Sequence, residues 1–430
     1  MALYRSTNAV AEVLDRPAGL VVTRISGALL ALLSSPLIAR AIGPEGRGLT
    51  AAAITTLMIV PIALGVGLPW AVRQKSANSV DVDSILRSAR LLSMFSLVPS
   101  LAVGLLLVWT LFAGMPTAAN AWLIAGIALT PLVVFRNSIV SVLVVRSDFR
   151  RISLINIAQP AAFFLIILGL AVSGALTITT VVAAQTVSIA FGFVLTVTFM
   201  PVSWGGPKYP IRILLRESAA ASGAQISEIA SYRLNQLILL PLIGSAALGF
   251  YAVAVNVALA PAPVGQAMSS AVFSDVARAA AVERKRKIVL ALQASLSMGV
   301  FVALATSALA PVVIPWAFGP MFSPAVPATV VFAVGSISVI CNFVLTSCLV
   351  ADGKSKEASV SQFAGFFGGL ILLFALSTPF GLIGASIASV AGFWITSVIA
   401  SMQLDIGMSD WVPRKRAVRA AFEILFSRGE

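Results

Sequence analysis

The sequence predicts an all-α polytopic membrane protein with about twelve transmembrane helices, arranged as two parallel six-helix lobes around a central cavity. Of its 430 residues, 59% are hydrophobic and 10% are charged, whereas roughly 25% of the residues in a soluble domain are charged. Apolar segments repeatedly reach about 20 residues, the length with which a helix crosses the hydrocarbon core of a bilayer. Weak sequence matches between the two halves of the chain recur at nearly one offset and indicate a duplicated unit.

Segment length indicates helices, because the strands of a membrane barrel would be about half as long and would alternate in polarity. The segment before the first span is polar throughout, unlike a cleavable signal peptide, so we expect the first helix to remain in the mature chain. The twelve predicted spans cover residues 18–42, 48–71, 91–112, 119–144, 152–173, 178–200, 218–241, 246–272, 288–314, 325–350, 359–379 and 381–403.

The basic residues outside these spans predict the orientation of the chain. One set of loops and termini carries 24 Lys and Arg residues, whereas the other carries two, Arg40 and Arg47. Such an asymmetry marks the cytoplasmic side. We therefore expect both termini in the cytoplasm, with the basic clusters in contact with anionic membrane lipids. The net charge of +13 follows from these loops and does not indicate nucleic acid binding.

Several classes of function are excluded by what the sequence lacks. No histidine is present, which excludes a histidine general base, imidazole ligation of a metal and a histidine pH switch. Cys341 and Cys348 are seven residues apart on one face of a span and are expected to be small buried hydrophobic residues. No GxxxxGK[ST] motif for nucleotide phosphates is found. We expect no enzyme activity and no cofactor; proton or sodium coupling stays open.

The internal repeat sets the domain organisation. Pro36 matches Pro241 at an offset of 205, Asp148 matches Asp352 at 204, and "WTLFAGM" matches "WAFGPM" at 207. Six spans in each half give the two halves the same orientation. The predicted domains are a cytoplasmic N-terminal segment (1–17), an N-terminal lobe (18–200), a Pro- and Gly-rich cytoplasmic linker (201–217), a C-terminal lobe (218–403) and a basic cytoplasmic tail (404–430).

Ionisable residues inside the spans are candidates for a substrate site. Each costs at least about 2.5 kcal/mol at the bilayer centre unless it faces water or a partner. Arg24 shares a small and polar face of the first helix with Gly27 and Ala31, and polar residues cover roughly 200° of the seventh helix. The candidate substrate-binding residues are Arg24, Arg136, Gln225, Glu228, Arg233, Asn235 and Gln236.

A structural role for the same charges is the alternative. Glu228 and Arg233 would then pair with each other, and Arg24 would extend to the cytoplasmic headgroups, because it is about six residues from its helix start. For Arg136 a role in the substrate cavity and a role as a buried structural partner are equally compatible with the sequence. The charges of the first hairpin, Arg40, Glu45 and Arg47, lie among three glycines and a proline and are expected to be exposed charges at a turn.

Four stretches of the chain resemble a known family. "LLSSPLIARAIGPEGRGLTAAA", "SAALGFYAVAVNVA", "PWAFGPMFSPAVPA" and "PFGLIGASIASV" resemble the bacterial O-antigen and exopolysaccharide flippases of the multidrug/oligosaccharidyl-lipid/polysaccharide (MOP) superfamily. The resemblance implies two MATE-like lobes around a cationic cavity, whose alternating access moves an undecaprenyl-diphosphate-linked glycan to the outer leaflet. Arg24 and Arg233 match arginines that line the cavity of related lipid flippases. A polysaccharide polymerase and glycosyltransferases are the implied partners.

Three further functions remain open from the sequence. A multidrug exporter of the same superfamily would be expected to bind cations in a cavity lined mainly by carboxylates. Three of the four charged residues inside the spans here are arginines. Arginine favours an anionic substrate such as a diphosphate, which a guanidinium can bind with two hydrogen bonds. A flippase of a peptidoglycan lipid precursor is the second possibility, although twelve spans fit it less well than fourteen. The third is a scaffold of a glycan-assembly complex that transports nothing.

The charge asymmetry predicts the side of each loop. Reporter fusions after Gly114, Leu176 and Pro379 are expected to report the periplasm, and fusions after Val282 and Trp411 the cytoplasm. Paired phosphatase and fluorescent-protein reporters measure this directly. Opposite results at two or more sites would show that the spans are miscounted.

Overall fold

A computed structural model of the chain describes residues 17–77, 79, 81–219 and 235–412. Throughout this part the regular structure is helical, with no strand. The chain divides into two compact units, Met1–Ile229 and Ala230–Glu430. Their boundary falls within residues 220–234, outside the described residues, so the domain limits drawn from the sequence stay predictions.

The first unit contains eight helices with defined bounds, followed by a short helical stretch at residues 211–219. The helices are α1 (Pro17–Leu64), α2 (Leu68–Ala77), α3 (Val82–Met94), α4 (Leu97–Thr110), α5 (Thr117–Ala128), α6 (Thr130–Val145), α7 (Phe149–Val172) and α8 (Ile178–Phe199).

The second unit contains five long helices and two short 3-10 turns within its described part. The helices are α9 (Asn235–Ala258), α10 (Ala262–Ala277), α11 (Ala281–Phe318), α12 (Ala325–Ala351) and α13 (Ser355–Gln403), and the turns are Pro320–Phe322 and Met408–Trp411.

The described helices account for the predicted spans. Eight stretches are long and apolar enough to cross a membrane, and the pair α5 and α6, bent by 41°, makes a ninth. Three of the eight, in α1, α9 and α13, are broken by a glycine. Helices α1 and α13 each hold two predicted spans, and α9 holds the end of the seventh span and the first half of the eighth. Each predicted span falls mainly on helix, except that the seventh is described only from residue 235 onward. The chain is a multi-pass membrane protein of the predicted fold class.

Glycine permits the breaks inside α1 and α9. Gly43 has φ 69° and ψ −177°, and Gly244 has φ 80° and ψ 168°. This backbone region is open almost solely to glycine, because any Cβ would clash there. In both helices the residues on either side of the glycine are again helical, so each break is confined to a single residue.

The internal repeat is visible in the backbone. Residues with positive φ recur in pairs: Gly43 with Gly244, Ser147 with Gly353, and Gly174 with Gly381. The offsets within these pairs are 201, 206 and 207 residues. The pair of Ser147 and Gly353 implies a different alignment of the two halves after the fourth span. It pairs Asp148 with Lys354, whereas the sequence match pairs Asp148 with Asp352.

Two buried clusters form the core of the first unit. The larger joins α2, α3 and α6 through residues such as Ile85 and Ile139, both fully buried. The smaller joins α1 to α7 and α8 around Ile38 and Ile167. Between α1 and α7 the helices approach closely, because a Cβ on Gly27 would lie 3.5 Å from the Cγ of Pro160. These contacts position α1 and α6, the helices that carry the candidate residues Arg24 and Arg136.

Helix α12 forms the centre of the second unit. It packs against α9, α10, α11 and α13, and both Cys341 and Cys348 are unpaired and fully buried in its core cluster, as the sequence predicts. Small residues allow the helices to pack tightly, since a Cβ on Gly299 would lie 2.9 Å from the Cα of Ile337. At one end of the unit the Nη1 of Arg284 lies 2.8 Å from Asp352. This ion pair ties α11 to the end of α12.

The Pro- and Gly-rich segment at residues 200–210 is bound to α3. Arg87 donates from its Nε to the carbonyl of Pro207 at 2.8 Å and from its Nη1 to the carbonyl of Gly205 at 3.2 Å. The guanidinium of Arg90 lies 4.3 Å from the ring centroid of Trp204. Helix resumes at residue 211. The segment predicted as a linker is therefore part of the first unit up to at least residue 219.

The break in α9 predicts a specific cost for a side chain at Gly244. Nothing lies within 4 Å of a Cβ built there, so Gly244→Ala tests backbone strain alone. We expect it to lower the free energy of unfolding by about 1–3 kcal/mol. Gly169→Ala is the control, because Gly169 is also uncrowded but lies within α7, where Ala is the better helix former. Equal thermal stability of the two variants would contradict the strain.

Candidate functional site

The seven candidate residues are described to different extents. Gln225, Glu228 and Arg233 lie outside the described residues. Arg24 lies in the first turns of α1, but its side chain is outside the description. Arg136 and Gln236 are partly buried and Asn235 is buried, each with its side chain described.

Arg136 lies in the interior of the first unit, where α6, α7 and α8 meet. Its guanidinium donates a hydrogen bond to the Oε1 of Gln159 on α7. Gly192 on α8 lies beside this pair, because a Cβ there would be 3.3 Å from the Cβ of Gln159 and 3.5 Å from the Nη1 of Arg136. Among the described residues Arg136 has no carboxylate partner, and its Nε is buried without a hydrogen bond. A neutral amide therefore holds this cation, and its charge is not neutralised there.

The α1 backbone brings the position of Arg24 to the same region. Gly27 packs on Pro160, the residue after Gln159, and Arg24 precedes Gly27 by three residues and so shares its helix face. The small and polar face predicted for α1 thus lies against the part of α7 that holds Arg136. Arg24 itself remains a predicted cavity residue.

Arg47 corrects the expectation of exposed turn charges in the first hairpin. Arg40 and Glu45 are exposed, but Arg47 is only 7% exposed. Its Nη2 donates to the Oγ of Ser35 at 3.1 Å, across the break at Gly43, and its Nε has no partner. The reason is that helix resumes at Pro44, which places Arg47 one turn inside the second half of α1.

The sequence does not identify two of the buried polar residues, for different reasons. It predicts a second span that begins at residue 48, which assigns Arg47 to a turn, although a proline directly after glycine is typical of a first helical residue. Gln159 gives no signal, because a lone amide in an apolar span does not reveal its partner. Only the packing of α6 on α7 brings Gln159 to Arg136.

Asn235 belongs to a buried polar network in the second unit. Its Nδ2 donates to the Oγ of Ser389 at 3.4 Å, and the hydroxyl of Tyr251 lies 2.9 Å from the same oxygen. Ser389 donates its proton to the carbonyl of Ala385 at 3.0 Å, so Tyr251 is the donor in that pair. The Oδ1 of Asn235 has no hydrogen-bond partner. This network joins α9 to the second half of α13.

A small cleft opens beside this network. It measures about 20 Å³, enough for roughly one water molecule, and its described lining is uncharged. In a neighbouring network Ser397 donates to the Oδ1 of Asn342 at 2.6 Å. Within the described residues no cluster of His, Cys, Asp and Glu could hold a metal ion. The residues lining the cleft are Asn235, Asn342, Gln362, Gly365, Phe366, Gly369, Ser389, Gly392, Phe393 and Thr396.

The fold is that of membrane transporters. An inward-facing multidrug resistance MATE family transporter of the MOP superfamily matches with a TM-score of 0.72 and 14% identity, covering 94% of this chain and 99% of that one. Lipid II flippase MurJ in its inward closed conformation also matches with a TM-score of 0.72, at 12% identity, covering 94% of this chain and 91% of that one. The fold therefore belongs to transporters and flippases with two lobes of six helices.

The family follows from the sequence. Residues 18–274 match the family model described as polysaccharide biosynthesis protein. This match covers more than half of the chain, so the chain belongs to the polysaccharide biosynthesis protein family. No curated protein matches the sequence.

The Arg136–Gln159 hydrogen bond predicts a measurable coupling. Hydrogen bonds to charged groups contribute about 1.5–3 kcal/mol, so Arg136→Ala and Gln159→Ala should be strongly non-additive in a double-mutant cycle of unfolding free energies. Asn156 provides the control, because it lies one turn earlier on α7 and is also partly buried. The cycle of Arg136→Ala with Asn156→Ala should be additive. A coupling of equal size in both cycles would contradict a specific Arg136–Gln159 bond.

Proposed function

We propose that this protein flips an undecaprenyl-diphosphate-linked oligosaccharide from the cytoplasmic to the periplasmic leaflet of the bacterial inner membrane during synthesis of a surface polysaccharide. Two lobes would alternate access to a cationic cavity, and both termini would lie in the cytoplasm. The polysaccharide biosynthesis family match supports a lipid-linked substrate. The observation that carries the proposal is Arg136, a cation inside the first unit whose described partner is a neutral amide.

Arginine suits this substrate chemically. A diphosphate that crosses the hydrocarbon must exchange its hydration shell for fixed donors, and a guanidinium offers two parallel hydrogen bonds while keeping its charge. Arg24 and Arg136 would supply these donors from the first lobe, and Arg233 from the second. Gln225, Glu228, Asn235 and Gln236 would complete the polar wall.

The membrane potential would assist this direction of transport. The free energy falls by about 2.3 kcal/mol per 100 mV for each negative charge that moves from a negative interior to the outside. A diphosphate therefore needs no coupled ion to move outward in a polarised membrane. Coupling to protons or sodium is a separate proposal, for which Glu228 is the candidate.

Other functions of the same fold make different demands on the site. A multidrug exporter of cations would need anionic groups where Arg136 lies, and the described residues place none within ion-pairing distance of it. A flippase of a peptidoglycan precursor would share the cationic cavity and differ in glycan. A scaffold for the polymerase and glycosyltransferases would tolerate loss of the arginines, which the experiment below tests.

Replacing the cavity arginines should block export. Removing one charge-assisted contact costs about 1.5–3 kcal/mol, so Arg24→Ala, Arg136→Ala and Arg233→Ala should each reduce glycan export by roughly 10-fold to 100-fold. Lipid-linked oligosaccharide should accumulate on the cytoplasmic side, and Lys should restore export only in part. Arg40→Ala is the control, since Arg40 is exposed. Normal export by an Arg24→Ala and Arg233→Ala double variant at normal expression would overturn the cationic cavity.

Glu228 separates ion coupling from a structural pairing. If Glu228 carries a coupled proton, Glu228→Gln should change the pH dependence of export at normal expression. If Glu228 only pairs with Arg233, the same change should lower expression and leave the pH profile of the remaining export unchanged. Export in vesicles over a series of pH values, normalised to the protein present, distinguishes the two.

A further inference from the structure

A second cavity lies in the first unit, and neither Arg136 nor Gln159 is among its lining residues. Its volume is about 470 Å³, within the range of roughly 300–1,000 Å³ that is typical of small-molecule sites. Its lining is mainly apolar. The lining residues are Leu64, Gly65, Val66, Leu68, Leu92, Ser93, Phe95, Ser96, Pro99, Val134, Ile211, Leu215 and Ser218.

The walls of this cavity come from parts of the chain near the predicted cytoplasmic boundary of the membrane. The end of α1 forms one wall, the junction of α3 and α4 the second, and residues 211–218 the third. Arg87 and Arg90 lie on α3 just before the lining begins, whereas α4 is apolar along its length. The cavity thus lies at the level where charged residues give way to apolar ones.

The third wall is amphipathic and fixed in place. Ile211, Leu215 and Ser218 face the cavity at the spacing of one helix face. Glu217 binds the Nζ of Lys75 on α2 at 2.6 Å, and the preceding segment is held to α3 by Arg87. The cavity is therefore preformed, so a ligand would not have to order its walls.

Cations border the apolar lining. Arg212 and Arg216 each follow a lining residue directly and are exposed, and Arg73 is exposed on α2 five residues after Leu68. An apolar cavity whose wall segments also carry exposed arginines fits an amphiphile with a long hydrocarbon chain and a phosphorylated head. Three arginines match a diphosphate better than the single charge of a phosphodiester.

We infer that this cavity binds the polyisoprenoid chain of the diphosphate-linked substrate, next to its head group, in the cytoplasmic leaflet. The inference rests on the proposed function, because that function supplies the lipid. A cavity of this volume holds part of an undecaprenyl chain, and the remainder stays in the bilayer. In this loading position the diphosphate lies near Arg73, Arg212 and Arg216, and it passes to Arg24, Arg136 and Arg233 only during translocation.

Photoaffinity labelling of the full-length protein in phospholipid nanodiscs tests the inference. The probe is undecaprenyl diphosphate with a diazirine near the head end of its chain. Labelled peptides should map to residues 92–99 and 211–218. Unlabelled undecaprenyl diphosphate should compete, and an excess of phosphatidylglycerol should not. Labelling that phosphatidylglycerol removes equally well, or that spreads evenly over the lipid-facing helices, would overturn the inference.

Two pairs of variants provide matched controls. Leu215 lines the cavity and is 50% exposed, whereas Ile213, two residues earlier, is 45% exposed and does not line it. Leu215→Trp should lower specific labelling at least tenfold, and Ile213→Trp should leave it unchanged. Phe95→Trp and Val98→Trp form the second pair, since these residues are 74% and 75% exposed and only Phe95 is part of the lining. Equal labelling of both members in both pairs would overturn the inference.

The outcome is distinguishable from a failure of the proposed function. If the chain site is wrong, labelling is unspecific while the arginine variants still block export. If the proposed function is wrong, the arginine variants export glycan normally, whatever the labelling shows. Specific labelling that persists in the Arg24→Ala and Arg233→Ala double variant would confirm that the chain site is separate from the site of these two arginines.

Discussion

The requirement that every backbone N–H and C=O group find a partner inside the hydrocarbon shapes this protein. Helices meet it along each span, and a conventional loop at membrane depth would not. Gly43 and Gly244 confine two helix breaks to one residue each, so that only the ends of the flanking helices lack intrahelical partners. Across the first of these breaks Arg47 is buried and donates to Ser35.

Two arginines on the long helices of the first unit, Arg47 on α1 and Arg136 on α6, are held by neutral groups. Ser35 accepts from Arg47 and Gln159 accepts from Arg136, and both guanidinium groups keep a buried Nε without a partner. An aspartate in either place would neutralise the charge and remove its attraction for an anion. Neutral partners orient the guanidinium and leave its field intact. The polar network around Asn235 in the second unit is also built from uncharged groups.

The fold was predictable from the sequence because the bilayer leaves few solutions for apolar segments of this length. The predicted internal repeat is also visible in the backbone, because positive φ values recur at equivalent positions of the two halves, as at Gly174 and Gly381. The site was less predictable. Arg136 stood out as a charge in an apolar span, but its partner Gln159 depends on how α6 packs on α7, which no local pattern encodes. Arg47 was misplaced because the extent of a turn cannot be read from its glycines alone, and the substrate assignments of Arg24, Glu228 and Arg233 remain predictions.

The attachment of residues 200–210 to α3 is made largely through main-chain atoms. Arg87 binds the carbonyls of Gly205 and Pro207, and Arg90 binds those of Ser203 and Trp204. Carbonyl groups are the same in every amino acid, so this attachment recognises the path of the chain and not the identity of its side chains. Three positions are exceptions. Ser203 accepts from the Nη1 of Arg87 through its Oγ at 2.7 Å, Trp204 stacks under Arg90, and a Cβ on Gly206 would lie 2.9 Å from the Nη1 of Arg87. Homologues can therefore diverge through most of this segment while its course over the first unit is preserved.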